Sequence, residues 1–408
     1  MNHVVPPVVS PRIALVSCGL NLGGSTTFLC NFAGELVRRN LPVQVLSFQR
    51  NNPLASDFSG QNIPLLCLDE RRCIFEDRMS RVLAELRQFR PTVVISTLGS
   101  ESFEVHRYLP AGVLRVGMAQ ADDPLIYPGI ARYAAHLDQV AVVSPEMKRK
   151  MQAQPALARH PVHYLPYGVP MPERPPTRSF GAGQTPLRIL YLGRVEREQK
   201  RVQLFPQMLD QLKASGIPFH WTVAGDGSEK AALEGSMRSS PSQTVSFPGK
   251  IAYAGIPALL REHEVFLLAS DYEGLPLSLL EAMGHGLVPV VSDLKSGIPE
   301  VVDGTNGLLV PVAYVPGYAR AIIHLHEHRD ELAAKSAAAR ERVKNEFSVA
   351  AMTDRWLAAL PSAVGEIKPW PQRWRIQSLL PARHKWYFSP PVRALRRLVV
   401  KFRGLAVS

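Results

Sequence analysis

One alternation constrains this chain more than anything else in it. A short aliphatic run ends in a small-residue turn and gives way to a helical stretch, and the cycle recurs in both halves. Arg12–Ser17 is the first such run. The glycine loop Gly19-Leu20-Asn21-Leu22-Gly23-Gly24 follows it, and the spacing predicts a helix from about Ser25 to Arg39. Leu41–Phe48, Thr92–Ser96 and Val140–Ser144 read as further strands, with helices over Met79–Phe89 and Pro145–Gln152. The second half restarts the pattern with Arg188–Leu192, Phe219–Ala224, Val265–Ala269 and Val288–Ser292, and with a helix over Pro276–Met283. Strands that alternate with helices pack as parallel βαβ units, with helices on both faces of the sheet. The expected fold is therefore α/β, two Rossmann-like, doubly wound parallel-sheet domains facing a cleft. Such sheets bind ligands beyond the C-terminal ends of their strands.

The 408 residues are enough for two cores. The boundaries expected are 1–168 for the first domain and 169–186 for a proline- and glycine-rich linker. The second domain takes 187–344, a helix at 345–360 crosses back onto the first, and 361–408 form a tail. No run of about 18 apolar residues occurs, so no span is expected. The first residues lack the basic start and apolar core of a signal peptide. Cys18, Cys30, Cys67 and Cys73 form no CxxC pair, as suits reduced thiols in the cytoplasm.

The strand ends of the second half carry the groups that suggest chemistry. Gly193-Arg194 follows a strand, with Lys200-Arg201 a few residues on. A guanidinium and an ammonium at such a place suit a diphosphate, though Arg-x5-Lys alone also fits a solvated loop. Gly225-Asp226-Gly227 is a turn that permits close backbone approach. In Ser270-Asp271-Tyr272-Glu273-Gly274-Leu275-Pro276, Glu273 sits in a loop and Pro276 suits a helix's first turn. Glu281 lies eight residues after Glu273 among apolar neighbours, and a carboxylate there needs a partner, for which sugar hydroxyls or an arginine would serve.

These pieces together resemble the donor-site signature of family 4 glycosyltransferases of the GT-B fold. Glu273 and Glu281 match its E-x7-E core, and GR…K (Gly193, Arg194, Lys200), AGDGSE (Ala224–Glu229) and VSFPGK (Val245–Lys250) stand upstream in the family's order, as does the Gly23-Gly24 loop. The resemblance covers roughly residues 12–360. It implies a donor side at 187–344, an acceptor side at 1–168, and transfer of a hexose-type sugar from a UDP- or GDP-sugar to a hydroxyl of a glycan or lipid-linked saccharide, with retention. It further implies that Arg194 and Lys200 hold the diphosphate with the amides of Gly274 and Leu275. Glu281 would bind the ribose, Glu273 the transferred sugar, and the loop Phe247–Ile251 the base. Gly23 and Gly24 would admit the donor phosphate or the acceptor, and no metal or other cofactor is expected. Two departures stand out. Arg201 occupies the place of a glycine after the lysine, and Gln120 stands where many members have a histidine, with Asp122 and Asp123 beside it as ionisable acceptor-side candidates. Gln cannot titrate, which leaves it hydrogen bonding. Asp122-Asp123-Pro124 also reads as a routine turn.

The net charge of +12 gathers at the end of the chain. Residues 361–408 hold ten Lys/Arg against the single acid Glu366, a balance of +9, with Trp370, Trp374 and Trp386 among them. Leu395, Leu398, Val399 and Phe402 suit one side of a short amphipathic helix over Pro391–Leu405. Basic residues interleaved with tryptophan suit an anionic membrane surface, peripheral at the inner face of the cell membrane; an extra element packed on the domain body is the bland alternative. The rival readings of the whole chain are a sugar-nucleotide epimerase of the same architecture and a non-catalytic binder of membranes or nucleic acid. Nucleic acid is not an expected partner, because the charge avoids the body of the protein.

Overall fold

The computed structural model describes residues 10–20, 23–49, 55–68, 73–97, 99–174, 185–238, 245–361 and 366–376, with 392, 394–396 and 398–399. The chain divides into two units. Unit 1 comprises Met1–Val143, Met147–Leu165 and Thr353–Ser408, and unit 2 comprises Ser144–Glu146 and Pro166–Met352.

Unit 1 holds seven parallel strands: β1 (Ile13–Ser17), β2 (Val43–Ser47), β3 (Leu65–Cys67), β4 (Val93–Ser96), β5 (Leu114–Ala119), β6 (Gln139–Val142) and β7 (Val162–Tyr164). Their order is β3-β2-β1-β4-β5-β6-β7. Unit 2 holds β8 (Leu187–Leu192), β9 (Phe219–Ala224), β10 (Val245–Gly249), β11 (Val265–Leu268), β12 (Val288–Ser292) and β13 (Leu308–Val310), ordered β10-β9-β8-β11-β12-β13. Both sheets run outward in two directions from their first strand, the doubly wound arrangement expected from the sequence. Leu15 lies between Val45 and Ile95, and Ile189 between Trp221 and Val265. Strands such as Ile13–Ser17 are buried at every position, as a sheet covered on both faces requires. β3, β7 and β13 have three residues each, too short to show a pattern, and Pro248 obscures β10.

One face of the first sheet buries Val16, Leu46, Phe48, Val82, Leu86 and Val94. Ile376 joins that core, and Ile367, Trp370 and Trp374 pack against it. The Lys368 amide donates to the Ala111 carbonyl at 2.9 Å, and the Arg87 guanidinium lies over the Trp374 ring. The beginning of the tail is therefore part of the body of unit 1. Its tryptophans 370 and 374 are half-buried against that core, the packed alternative that the sequence left open. Farther on, Arg396 pairs with Glu76 at 2.8 Å while Leu395, Leu398 and Val399 are exposed. Trp386, Tyr387, Phe388 and Phe402 lie outside the described residues.

The helix expected at 345–360 is two helices. Arg329–Glu346 ends at Phe347, and Val349–Ala359 begins after Ser348. The linker causes the break: Val169 donates to the Phe347 carbonyl at 2.9 Å and accepts from the Val349 amide at 3.1 Å, taking over backbone groups that a continuous helix would pair internally. Gly168 allows this approach, since a Cβ there would stand 2.5 Å from the Ser348 carbonyl. The second helix then delivers Trp356 to unit 1. It is fully buried, with its ring 6.1 Å from Phe28 and 5.3 Å from Phe32 on the helix Gly24–Arg38.

Candidate active site

In the second sheet the order reverses between β8 and β11, and the loops that follow these two strands lie side by side. This brings together side chains more than seventy positions apart. Lys200 Nζ lies 2.5 Å from Glu273 Oε1, and both side chains are buried. The Ser270 hydroxyl donates to the same carboxylate oxygen at 2.7 Å, and Gln199 Nε2 donates to the other at 3.3 Å. Arg194 is exposed, pairs with Glu196 at 2.7 Å and donates to Gln199 Oε1. Arg201 pairs with Asp271. Three cations and three carboxylates thus neutralise one another along two loops. An anion with two or more charges would compete for the cations and release the carboxylates to hydroxyl donors.

The loop that carries Arg194 is held from below. Gly193 donates to the Ala224 carbonyl at 3.1 Å, Val195 to the Asp226 carbonyl at 2.9 Å, and the Tyr191 hydroxyl to the Arg194 carbonyl. Burial, with Glu273 and Glu196 nearby, pushes the Tyr191 phenol far above its ordinary range, so it stays a neutral donor. Gly225 must be glycine: a Cβ there would meet the Gly193 carbonyl oxygen at 1.8 Å, and its φ is 147°. The backbone that approaches Gly225 is that of the neighbouring loop.

Glu281 is on the helix Leu277–Gly284, buried, and without a hydrogen bond or ion pair to its carboxylate among the described residues. Burial pushes its pKa up to about 7 from the usual carboxylate value. The arginine partner that the sequence left open is therefore absent among the described residues. Gly274 and Leu275 are buried at the start of this helix, and the Gly274 carbonyl accepts from the Gly297 amide at 2.7 Å. Phe247 is half-buried on β10, the edge strand beyond β9.

Unit 1 holds the remaining candidates. Gly23 caps the helix Gly24–Arg38, accepting from the amides of Thr26 and Thr27 at 3.1 Å, with open space where a side chain would be. Gln120 is buried just beyond β5. Asp122 accepts from Lys150 at 2.7 Å and from the Tyr127 hydroxyl at 2.5 Å, and Asp123 accepts from the Leu125 amide at 2.8 Å, forming the turn that the Asp-Asp-Pro sequence also permits. No group of three metal-ligating side chains occurs among the described residues. Gln199, Ser270, Asp271 and Tyr191 join the site without any signal in the sequence beyond their adjacency to motif residues.

The family described as Glycosyl transferases group 1 matches residues 186–328, the segment that carries this site. EpsF of Bacillus subtilis, named as a glycosyltransferase, is 30% identical over 327 residues, which cover 73% of this chain and 82% of EpsF. The chain belongs to the group 1 glycosyltransferases. WcaL of Escherichia coli K12, named for colanic acid biosynthesis, is 34% identical over 196 residues, 46% of this chain. The match spans about half the length of that relative, 48%. The crystal structure of TarM from Staphylococcus aureus, in complex with fondaparinux, α-GlcNAc-glycerol and UDP, superposes with a TM-score of 0.70 at 13% identity. It covers 85% of this chain and 99% of TarM, and shows that this group 1 chain has the GT-B fold.

Proposed function

We propose that the chain transfers a sugar from a nucleoside diphosphate sugar to a hydroxyl group of a glycan or lipid-linked saccharide, with retention at the anomeric carbon. Glu281 carries the reading. A buried carboxylate without protein donors fits the paired hydroxyls of a ribose, which would favour its charged form. Arg194 and Lys200 then meet the diphosphate, where charge grows as the glycosidic bond breaks and fixed cations lower the barrier most. Once Lys200 turns to phosphate, Glu273 is left to accept from hydroxyls of the transferred sugar. The amides of Gly274 and Leu275 would assist at the diphosphate, with Gly193 and Gly225 shaping the loop and Phe247 beside the base. Gly23 and Gly24 would admit the donor phosphate or the acceptor, and Gln120 belongs to the acceptor side, whereas Asp122 and Asp123 support it structurally. UDP in the TarM complex supports a uridine donor for this site, and the colanic acid name of WcaL a polysaccharide acceptor.

The same proposal places the enzyme in the cytoplasm, peripheral at an anionic membrane surface. The +9 balance of residues 361–408 and the exposed Leu395, Leu398 and Val399 support it. No helix among the described residues is long and apolar enough to cross a membrane. The deciding experiment is a donor screen over UDP-, GDP-, ADP- and dTDP-sugars, with and without lipid-linked saccharides. Nucleoside diphosphate release that depends on an acceptor supports transfer; conversion of a sugar nucleotide alone, with no release, favours an epimerase.

A further inference from the structure

Three consecutive residues after β8 meet three consecutive residues after β11. The Asp271 amide donates to the Gln199 carbonyl at 2.9 Å, and Gln199 Nε2 donates to the Tyr272 carbonyl at 3.0 Å. Lys200 pairs with Glu273 in the buried part of this seam, and Arg201 pairs with Asp271 at its rim, with side chains 31% and 27% exposed. Arg201 has φ 48° and ψ 39°, the left-handed region that glycine enters freely and arginine does not. The chain thus keeps a long cationic side chain where the backbone conformation favours glycine, and the partner of that side chain is Asp271.

We propose that Arg201 is a positioning residue. Its pair with Asp271 fastens the loop after β8 to the loop after β11, and so fixes where the Lys200 ammonium stands relative to Glu273, while Arg201 itself makes no contact with the donor. The inference rests on the reading of this site as a nucleoside diphosphate sugar site. The competing role for Arg201 is a third phosphate cation, and the two roles give opposite signs for one variant. If Arg201 bound phosphate, Asp271→Asn would free it and tighten binding. As a fastening pair, Asp271→Asn loosens the seam and weakens binding.

The test is calorimetric titration of the full chain with UDP and GDP. The variants are Arg201→Gly, Asp271→Asn, the double variant, and the charge reversal Arg201→Asp with Asp271→Arg. Arg201→Gly suits the backbone and so should fold. Each single variant is expected to weaken binding about fivefold, with the double no weaker than either single, and the reversal should recover part of the loss, as coupled neighbours do. Hydrogen exchange at the Asp271 amide should accelerate in both single variants. Tighter binding by Asp271→Asn, wild-type affinity in both singles, or additive losses in the double would each overturn the proposal. Failure of the wild type to bind any nucleoside diphosphate overturns the donor-site reading itself, and this inference with it.

Discussion

Lys200 and Glu273, 73 positions apart, form a buried ion pair at 2.5 Å. The family resemblance assigns them to different parts of one donor, the diphosphate and the sugar, yet each is the other's partner in the protein. On the proposed reading, substitution of either should act on stability and on catalysis together.

Arg194→Ala and Lys200→Ala should each lower turnover by roughly two orders of magnitude, as groups aimed at developing charge do. Their stabilities should differ. Lys200→Ala leaves Glu273 buried with only Ser270 and Gln199 and should cost about 3 kcal/mol, whereas Arg194 is exposed and its loss should stay within about 0.5 kcal/mol. Urea unfolding and steady-state rates on the same preparations check both; wild-type turnover in either variant removes it from the diphosphate site.

Glu281 makes stability depend on pH. Its folded pKa, raised by burial to about 7 from 4.5, means that the folded state binds the proton more tightly than the unfolded chain. Stability from this group is present below about pH 4.5 and is lost as pH rises toward 7, a change on the order of 3 kcal/mol. Glu281→Gln should abolish that dependence, so its Tm should exceed that of the ligand-free wild type more at pH 8 than at pH 5. Equal differences at the two values would show that the carboxylate is solvated.

Nucleoside diphosphate alone should distinguish the two glutamates. Glu281→Gln is expected to weaken its binding roughly tenfold or more, the loss of a charged hydrogen-bond acceptor, while Glu273→Gln mainly lowers turnover and alters sugar preference. Calorimetry decides, and equal losses in the two variants would refute the division.

Much of this was legible because the physics is local. Buried parallel strands demand aliphatic runs, and β1, β8, β9, β11 and β12 announce themselves by composition. The spacing of Glu273 and Glu281 survives in a loop and the helix after it. What stayed hidden is non-local. The choice of Glu273 as the partner of Lys200, the bridging of Arg194 and Glu273 by Gln199, and the contact between Gly225 and the Gly193 carbonyl all depend on which strands become neighbours. Trp370 and Trp374 show the limit of composition, which alone cannot separate a ring meant for a membrane from one that packs against a core.

Gly225→Ala should be among the most damaging single substitutions in unit 2. The added carbon would meet the Gly193 carbonyl at 1.8 Å, so the loop with Arg194 must move. A loss of about 3 kcal/mol or more is expected, together with weakened nucleoside diphosphate binding. A variant with wild-type Tm and affinity would show that the two loops separate freely.

Truncations should separate the two parts of the tail. Ending the chain after Leu360 removes Ile367, Trp370, Trp374 and Ile376 from the core of unit 1 and should lower its Tm steeply. Ending it after Ile376 keeps that core and should retain donor binding, at a smaller loss of Tm because Glu76 loses Arg396, while abolishing sedimentation with anionic vesicles at low salt, an attraction that salt screens. Retained sedimentation would assign membrane affinity to the body of the protein.

The placement of Trp356 against the stacked rings of Phe28 and Phe32 bears on the order in which the chain can fold during synthesis. Unit 2 is nearly continuous in sequence and is complete once Met352 has been made. Unit 1 begins first but waits for residues near the other end of the chain before its core closes. A ribosome translating this message therefore holds a first sheet whose strands are all made but whose Phe28 and Phe32 still lack Trp356, throughout the synthesis of the second. That interval is when chaperone demand should peak.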